Sequence, residues 1–436
     1  MSALESQHQP WPIYQRIVFR IFFIYFLLST AIWGWLGSIP WLSFLSTYSS
    51  EFTTFYTELF NDYIYTIKEE LVPTRGSGDT SMGWATLYAQ LFLSLIGGLI
   101  WSIIDRKRPS YNWSFLALRN VVRYYVILFA FIYGAIKVYG LQMPSPSNSY
   151  YATDLGHFTG MRFSWNFIGY SKGYEFFSGL MEVFVGVFLL YRRTIVLGAL
   201  LGIGVFANVF LLNISYDIPV KIFSFQLLFA CLFLCLNNLQ RISQFFLLNR
   251  PVISDTSWNI PNFKPWVRPT RIILKSIFVL VFTLYPFYNY YEFYQSVNSR
   301  ATTPPFSSGF YELQNLIIDG DTIASQLDSN IHWKDLAIDQ SGRGSMGLID
   351  STLRVRYGRS YFSYSLDSTE TTLYLKRSSS DSIAYFEGTF EYLTEQDLHL
   401  SGTYKGEQPM QVDLIWKDRD YPLARKEFNW MLESVP

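Results

Sequence analysis

The sequence predicts a multi-pass α-helical membrane protein with an all-β domain at its carboxyl end, and three observations predict it. Half of the 436 residues are hydrophobic and 19% are aromatic, while only 16% are charged, against about a quarter in ordinary soluble domains. Seven apolar runs approach or exceed the length needed to cross roughly 30 Å of hydrocarbon. After the last run the texture changes to short alternating segments separated by turns, the pattern of antiparallel strands. The formal net charge is zero, which argues against the basic face that a nucleic-acid partner would require.

The seven runs fall at about residues 17–37, 83–104, 117–139, 174–191, 194–213, 220–237 and 271–289. Basic residues set their orientation. With the amino terminus inside, the inner loops receive Arg16, the run "DRKR" at 105–108, Arg119, Arg192, Arg193, Arg241, Arg250, Lys264, Arg268 and Arg271. The outer loops hold little beyond Lys68, Arg75, Arg162 and Lys172. This bias predicts a bacterial inner-membrane protein with a cytoplasmic amino terminus and a periplasmic carboxyl-terminal domain. The first 16 residues contain Glu5 and lack an apolar core followed by small residues, so no removable signal peptide is expected. The expected divisions are a tail and first span at 1–45, an extracytoplasmic helix and loop at 46–82, a helix bundle at 83–238, a cytoplasmic linker at 239–270, a seventh span at 271–290 and a β domain at 300–436.

Between the first two spans, "EFTTFYTELFNDYIYTIKEEL" repeats Phe52, Phe55, Tyr56, Leu59, Phe60, Tyr63 and Ile67 at helical spacing. Its other face carries Glu51, Glu58, Asp62, Glu69 and Glu70. An acidic face does not fit a membrane-surface helix, so docking of the aromatic face across the top of the bundle is expected. The following "RGSGDTSMGW" is a turn in which Asp79 or Thr80 is placed to cap the second span; it lacks the spacing and lysine of a phosphate loop.

In the carboxyl-terminal region, Phe362, Tyr364 and Leu366 alternate, as do Leu398 with Leu400 and Val412, Leu414 with Trp416. Hairpins at this spacing predict a meander of about eight or nine strands, closed as a lipocalin-like barrel or split into a sandwich. An interior filled by aromatic side chains is favoured over a ligand cavity. Glu387, Asp397 and His399 belong to polar strand faces and form no recognisable catalytic set, and no catalytic residue is assigned.

The ionisable residues inside the bundle carry the functional expectation. "FFSGLMEVFVGVFLLY" contains Glu182 as its one ionisable group, and an intramembrane carboxylate demands a partner. Lys137 ends the third span at a similar depth. Asn208 and Asn213 lie in the outer part of the fifth, and "YDIPVK" places Asp217 and Lys221 in the next turn. Glu182, Lys137, Lys221, Asp217, Asn208 and Asn213 are therefore expected to line one polar pocket, against the plainer alternatives of a capped turn and helix-locking ion pairs. Arg123 is expected to snorkel to anionic head groups, with Arg192 and Arg193 as further membrane anchors. Gly179, Gly186, Gly198, Gly202 and Gly204 permit close helix packing. Cys231 and Cys235 read as packing thiols, and the four histidines have no metal-ligand spacing.

The stretches "RYYVILFAFIYGAIKV" and "FIGYSKGYEFFSGLMEVFVGVFLLYRRTIVLGALLGIGVFANVFLLNISYDIPVKIFS" resemble the DoxX family of small membrane proteins. "GSGDT", "DRKRPSY" and the β-rich tail resemble its extended, Bacteroidota-type members. The resemblance implies a four-span core, with Gly134, Lys137 and Glu182 at its marked positions. Some relatives are associated with thiosulfate:quinone oxidoreductase, which makes a quinone or other lipidic molecule an implied ligand. The chain has neither clustered histidines nor a reactive cysteine pair, so a redox role would be borrowed from a bound quinone or a partner. The leading expectation is a non-enzymatic or accessory protein that binds a lipidic ligand or membrane partner, with the β domain engaging an envelope protein. A quinone-linked oxidoreductase subunit and a transporter are the alternatives.

Overall fold

A computed structural model describes residues 10–37, 39–74, 78–252, 265–298, 305–323, 333–340, 342–367 and 369–425. Arg75 and Lys264, used above for orientation, lie outside them. The chain forms two compact units, one of residues 1–142 and 173–290, the other of 143–172 and 291–436.

The helical unit begins with α1 (Ile13–Thr30), α2 (Ile32–Leu36), α3 (Ser43–Tyr63), α4 (Ser81–Ile104) and α5 (Asn112–Val138). After α6 (Asn148–Tyr151) and α7 (Gly160–Tyr170), which belong to the second unit, come α8 (Lys172–Leu190), α9 (Ile195–Ser215), α10 (Lys221–Cys235), α11 (Leu239–Phe246), α12 (Val267–Val279) and α13 (Tyr285–Asn298). Among the described residues, seven stretches are long and apolar enough to cross a membrane: 13–36, 81–104, 112–138, 172–190, 192–215, 221–246 and 267–297. The protein is accordingly a multi-pass membrane protein. The last stretch contains a π-turn at Leu280–Leu284; Pro286 follows it and has no N–H to continue the α ladder. Buried side chains of α1, α5, α8, α9 and α10 form one core, with α5 central: Val122, Val126, Ile127 and Ala130 are fully enclosed.

The amphipathic segment forms a helix, but most of its aromatic face is not buried, and the acidic Glu51, Glu58 and Asp62 are exposed as well. Phe52, Phe55, Leu59 and Tyr63 are exposed, whereas Tyr56, Thr57 and Asn61 are buried. Thr57 meets Thr86 Oγ1 at 3.1 Å, and Gln90 donates to the Tyr56 hydroxyl at 3.1 Å. Gln90 lies nine residues into α4, about 14 Å along it, so α3 packs along this helix rather than across the bundle top. Polar atoms next to hydrocarbon need protein partners while aromatic rings do not, which accounts for the burial of Thr57 and Asn61 beside exposed rings. Ile67 falls beyond the helix end.

Among the described residues the second unit contains ten strands: β1 (Gly309–Ile318), β2 (Asp321–Thr322), β3 (Leu336–Asp339), β4 (Arg343–Met346), β5 (Arg354–Arg356), β6 (Arg359–Leu366), β7 (Leu373–Lys376), β8 (Phe386–Tyr392), β9 (Asp397–Tyr404) and β10 (Gln408–Lys417). Eight of them pair antiparallel in a ring, β1-β3-β4-β6-β7-β8-β9-β10, closed by β10 on β1 from Phe310 opposite Lys417 to Ile318 opposite Met410. Closure removes the open edges a sandwich would leave. Trp333, Leu336, Ile338, Leu375, Phe386, Leu400 and Val412 are buried in its core. Trp333 Nε1 donates to the Tyr385 hydroxyl at 3.1 Å, which satisfies the indole inside the barrel.

Residues 143–172 were expected within the helix bundle and instead fold with the strands. Asn148 Nδ2 donates to Ile338 O at 2.7 Å, and Asp339 Oδ1 accepts from Ser149 N at 2.9 Å. Arg359, 4% exposed, pairs with Asp335 at 2.7 Å and donates to Ala152 O at 3.1 Å. Arg162 lies 3.9 Å from the Tyr357 ring centre and donates to the Tyr361 hydroxyl at 3.0 Å. An insert after the third span thus shares a unit with strands after the seventh, which requires both spans to end on one side of the membrane when every span crosses.

Asp350 anchors a turn of this unit. Its Oδ1 accepts from Thr352 N at 2.8 Å, and its Oδ2 lies 3.0 Å from Lys405 Nζ. Burial alone would raise the Asp350 pKa, but bonds from Thr352 and Lys405 hold it below the usual value. Burial would lower that of Lys405, yet Tyr404 and Asp350 hold it above. The stabilisation from Asp350 is present above its unfolded pKa and fades as pH falls through the folded one; that from Lys405 fades only as pH rises through its own raised value. The pair therefore contributes fully from about pH 5 to 9. We predict that hydrogen-exchange protection of residues 348–366 and 398–407, corrected for intrinsic rates, declines below about pH 4, and that Asp350→Asn flattens this acid limb. An equally steep limb in the variant would contradict the assignment.

Candidate functional site

Glu182 and Lys137 meet. Both side chains are buried, and Lys137 Nζ donates to Glu182 Oε1. The contact is prepared by glycines one turn earlier in each helix. A Cβ on Gly179 would come within 2.7 Å of Gly134 O and of Lys137 Cβ, and one on Gly134 within 2.8 Å of Val183 Cγ2. A Cβ on Gly186 would come within 2.9 Å of Phe131. The descending pairs 137 with 179, 134 with 183 and 131 with 186 describe an antiparallel crossing of α5 and α8 in which backbone approaches backbone. Small residues thus place the stem of Lys137 against α8 and bring its ammonium to the carboxylate. Glu182 Oε2 is also buried and accepts no hydrogen bond among the described residues. A buried carboxylate with one oxygen unsatisfied bears a desolvation cost, and sites of this kind call for an explanation.

The expected single pocket divides. Lys221 Nζ pairs with Asp217 Oδ1 at 2.7 Å and lies 3.9 Å from Asp79 Oδ2. Asp217 is exposed and has φ 50°; a short acidic side chain tolerates this left-handed turn. Asn213 is buried and donates to Val220 O at 3.2 Å and Ser224 Oγ at 2.9 Å, tying the end of α9 to the start of α10. Asn208 is exposed on α9. No hydrogen bond or ion pair among the described residues joins Asp217, Lys221, Asn208 or Asn213 to the Lys137–Glu182 pair. Of the six expected pocket residues, only Lys137 and Glu182 form the buried pair; Asp217, Lys221 and Asn213 build a turn.

That turn rests on a residue assigned elsewhere by the sequence reading. Asp79 does not cap α4, where Thr80 accepts from Gly83 N at 3.3 Å. Its carboxylate instead accepts from Lys221 N at 2.7 Å and Ile222 N at 3.0 Å, satisfying the free amides at the start of α10. Arg123 does not snorkel either. It is buried, and its Nε donates to Leu189 O at 2.5 Å. The terminal carbonyls of α8 lack partners within their helix, which makes them an acceptor for a cation within the bundle. Arg192 is half-buried and Arg193 exposed just beyond them.

Two polar features went unread. Arg20, inside the first span, is buried and donates to Asp105 O at 2.7 Å and the Tyr111 hydroxyl at 2.8 Å. Its solitary position one turn after Arg16 in an apolar run was the available signal. Lys275 donates to Leu190 O at 2.6 Å, 85 residues away in sequence, a match that no local pattern reveals. Cys231 and Cys235 are free and buried; Cys231 Sγ occupies the space a Cβ on Gly202 would need. Among the described residues no group of three metal-ligating side chains converges.

Two substitutions test these contacts. Gly179→Val should force α5 and α8 apart and lower the thermal midpoint of the detergent-solubilised protein, as overpacking of about 1–3 kcal/mol does, whereas Gly204→Val, which has open space, should not. Asp79→Ala should cost about 1 kcal/mol and speed hydrogen exchange in the first turn of α10; unchanged exchange there would exclude the long-range cap.

A 75-residue stretch is 40% identical to the uncharacterized protein YwoB of Bacillus subtilis (strain 168), covering 17% of this chain and 49% of YwoB. The chain thus spans about half the length of that curated relative. No family model matches the chain, and no solved structure does.

Proposed function

We propose that this is a DoxX-like inner-membrane protein, non-enzymatic or accessory, whose helical unit binds the polar head of a lipidic molecule or membrane partner at Glu182 and Lys137. The observation that carries this reading is the buried Glu182 Oε2, which accepts no hydrogen bond among the described residues beside a paired Lys137. A bound hydroxyl or amide would satisfy it. The satisfying group must itself be buried, which favours a ligand arriving from the bilayer over a soluble one. The bias of basic residues towards one set of loops supports a cytoplasmic amino terminus and a periplasmic β-barrel, whose outer surface would be available to an envelope partner.

A quinone is the lipidic ligand of the alternative reading, a subunit of a quinone-linked oxidoreductase. A quinol hydroxyl can donate to Glu182 Oε2, and Lys137 would then stabilise the carboxylate during proton exchange. This reading rests on the same oxygen and differs only in what is bound.

Extraction of the purified protein in mild detergent tests both. We predict an isoprenoid or lipid species at about one per chain, retained by the wild type and depleted in Glu182→Gln, whose amide no longer presents the same acceptor. A quinone selects the alternative reading. A folded Glu182→Gln variant with unchanged bound species and unchanged phenotype would overturn the site.

A further inference from the structure

A second cluster lies at the opposite end of α8 from the start of the helix. Arg123 and Lys275 donate to the successive carbonyls of Leu189 and Leu190. Arg192 follows two residues later, and Arg271 precedes Lys275 by one turn of α12, on the same face. Lys275 Nζ also lies 4.8 Å from the Tyr191 ring centre, which fixes where α12 meets the end of α8. Arg192 and Lys275 are half-buried and Arg271 is exposed.

The carbonyl end of a helix supplies only about half a negative charge. Lys275 seated on it already exceeds that, and Arg192 and Arg271 add two more charges. No carboxylate pairs with Arg192, Arg271 or Lys275 among the described residues. Acidic residues elsewhere at the ends of the bundle do find cations: Asp105 lies 3.8 Å from Arg108, and Asp217 lies against Lys221. Three accessible cations at one helix end, with no carboxylate partner among the described residues, form a local positive field that attracts an anion.

The geometry points to a binding site for a phosphate-bearing anion formed by Arg192, Arg271 and Lys275 beside the carbonyl end of α8. Guanidinium groups present paired donors to phosphate oxygens, and the ammonium adds a point charge. Tyr191 is 61% exposed beside Lys275, and an aromatic ring at a basic helix end matches the head-group level of a bilayer. The shared chemistry is a phosphate group, carried either by an anionic lipid or by a soluble ion.

The test uses the full chain and the Arg192→Gln/Arg271→Gln double variant, which leaves both carbonyl contacts of α8 in place. Protein reconstituted in phosphatidylcholine with about one part in five phosphatidylglycerol is released into detergent and its retained lipid measured by native mass spectrometry. In parallel, inorganic phosphate is titrated against the thermal midpoint. Selective retention of phosphatidylglycerol, falling at least about tenfold in the variant, establishes the site with a lipid as its source. Stabilisation by inorganic phosphate that the variant loses, without selective lipid retention, establishes it with a soluble source. Lipid retention and phosphate stabilisation that are both absent from the wild type, or both undiminished in the variant, overturn the proposal.

Discussion

A charge in a hydrocarbon layer must be matched by another charge or by a helix end, and this constraint organises the helical unit. Its fullest expression is the Lys137–Glu182 pair, which holds α5 and α8 in one register. The two glycines one turn away do not merely tolerate the approach; they remove the Cβ atoms that would keep ammonium and carboxylate apart. The same rule explains the other buried polar groups. Arg20 closes on Tyr111 and the Asp105 carbonyl, Arg123 and Lys275 close on the end of α8, and Asp79 closes on the start of α10. Each joins elements distant in sequence, so helix packing that apolar surface alone leaves unspecific acquires a defined register.

The β unit meets a different constraint. An antiparallel sheet exposes backbone donors and acceptors at its edges, and ring closure of β10 on β1 satisfies them. The insert at residues 143–172 then bonds to strand residues near β3, β4 and β6 through Asn148, Ser149 and Arg162. Arg359 is the hinge of this arrangement, because its guanidinium serves Asp335, Ser345 and Ala152 at once. Two segments separated by four membrane spans are thereby committed to one folded body, which couples the topology of the helices to the integrity of the barrel.

What could be read from the sequence followed the range of the interactions. The seven spans were legible because apolar length is local, and the barrel strands from Arg359 to Lys417 because their alternation is local too. Glu182 announced itself as the one ionisable group in its run. The partner of Asp79 did not, because 142 residues separate it from Lys221. Arg123 was misplaced since sequence does not reveal that the α8 carbonyls pass within reach. The facing of α3 was misread because aromatic periodicity marks a core in water and a lipid-facing or partner-facing surface beside a membrane; the polar Thr57 and Asn61 were the better guide. The grouping of 143–172 with the strands depends wholly on contacts about 190 residues apart.

The central claim is that Lys137 and Glu182 are energetically coupled inside the bundle. A double-mutant cycle with Lys137→Met, Glu182→Leu and the combined variant, followed by reversible unfolding in detergent, measures this most directly. Each single change strands a buried charge and should cost about 3–5 kcal/mol, while the combined change should cost far less than their sum. Additive losses, or single variants as stable as the wild type, would contradict the account.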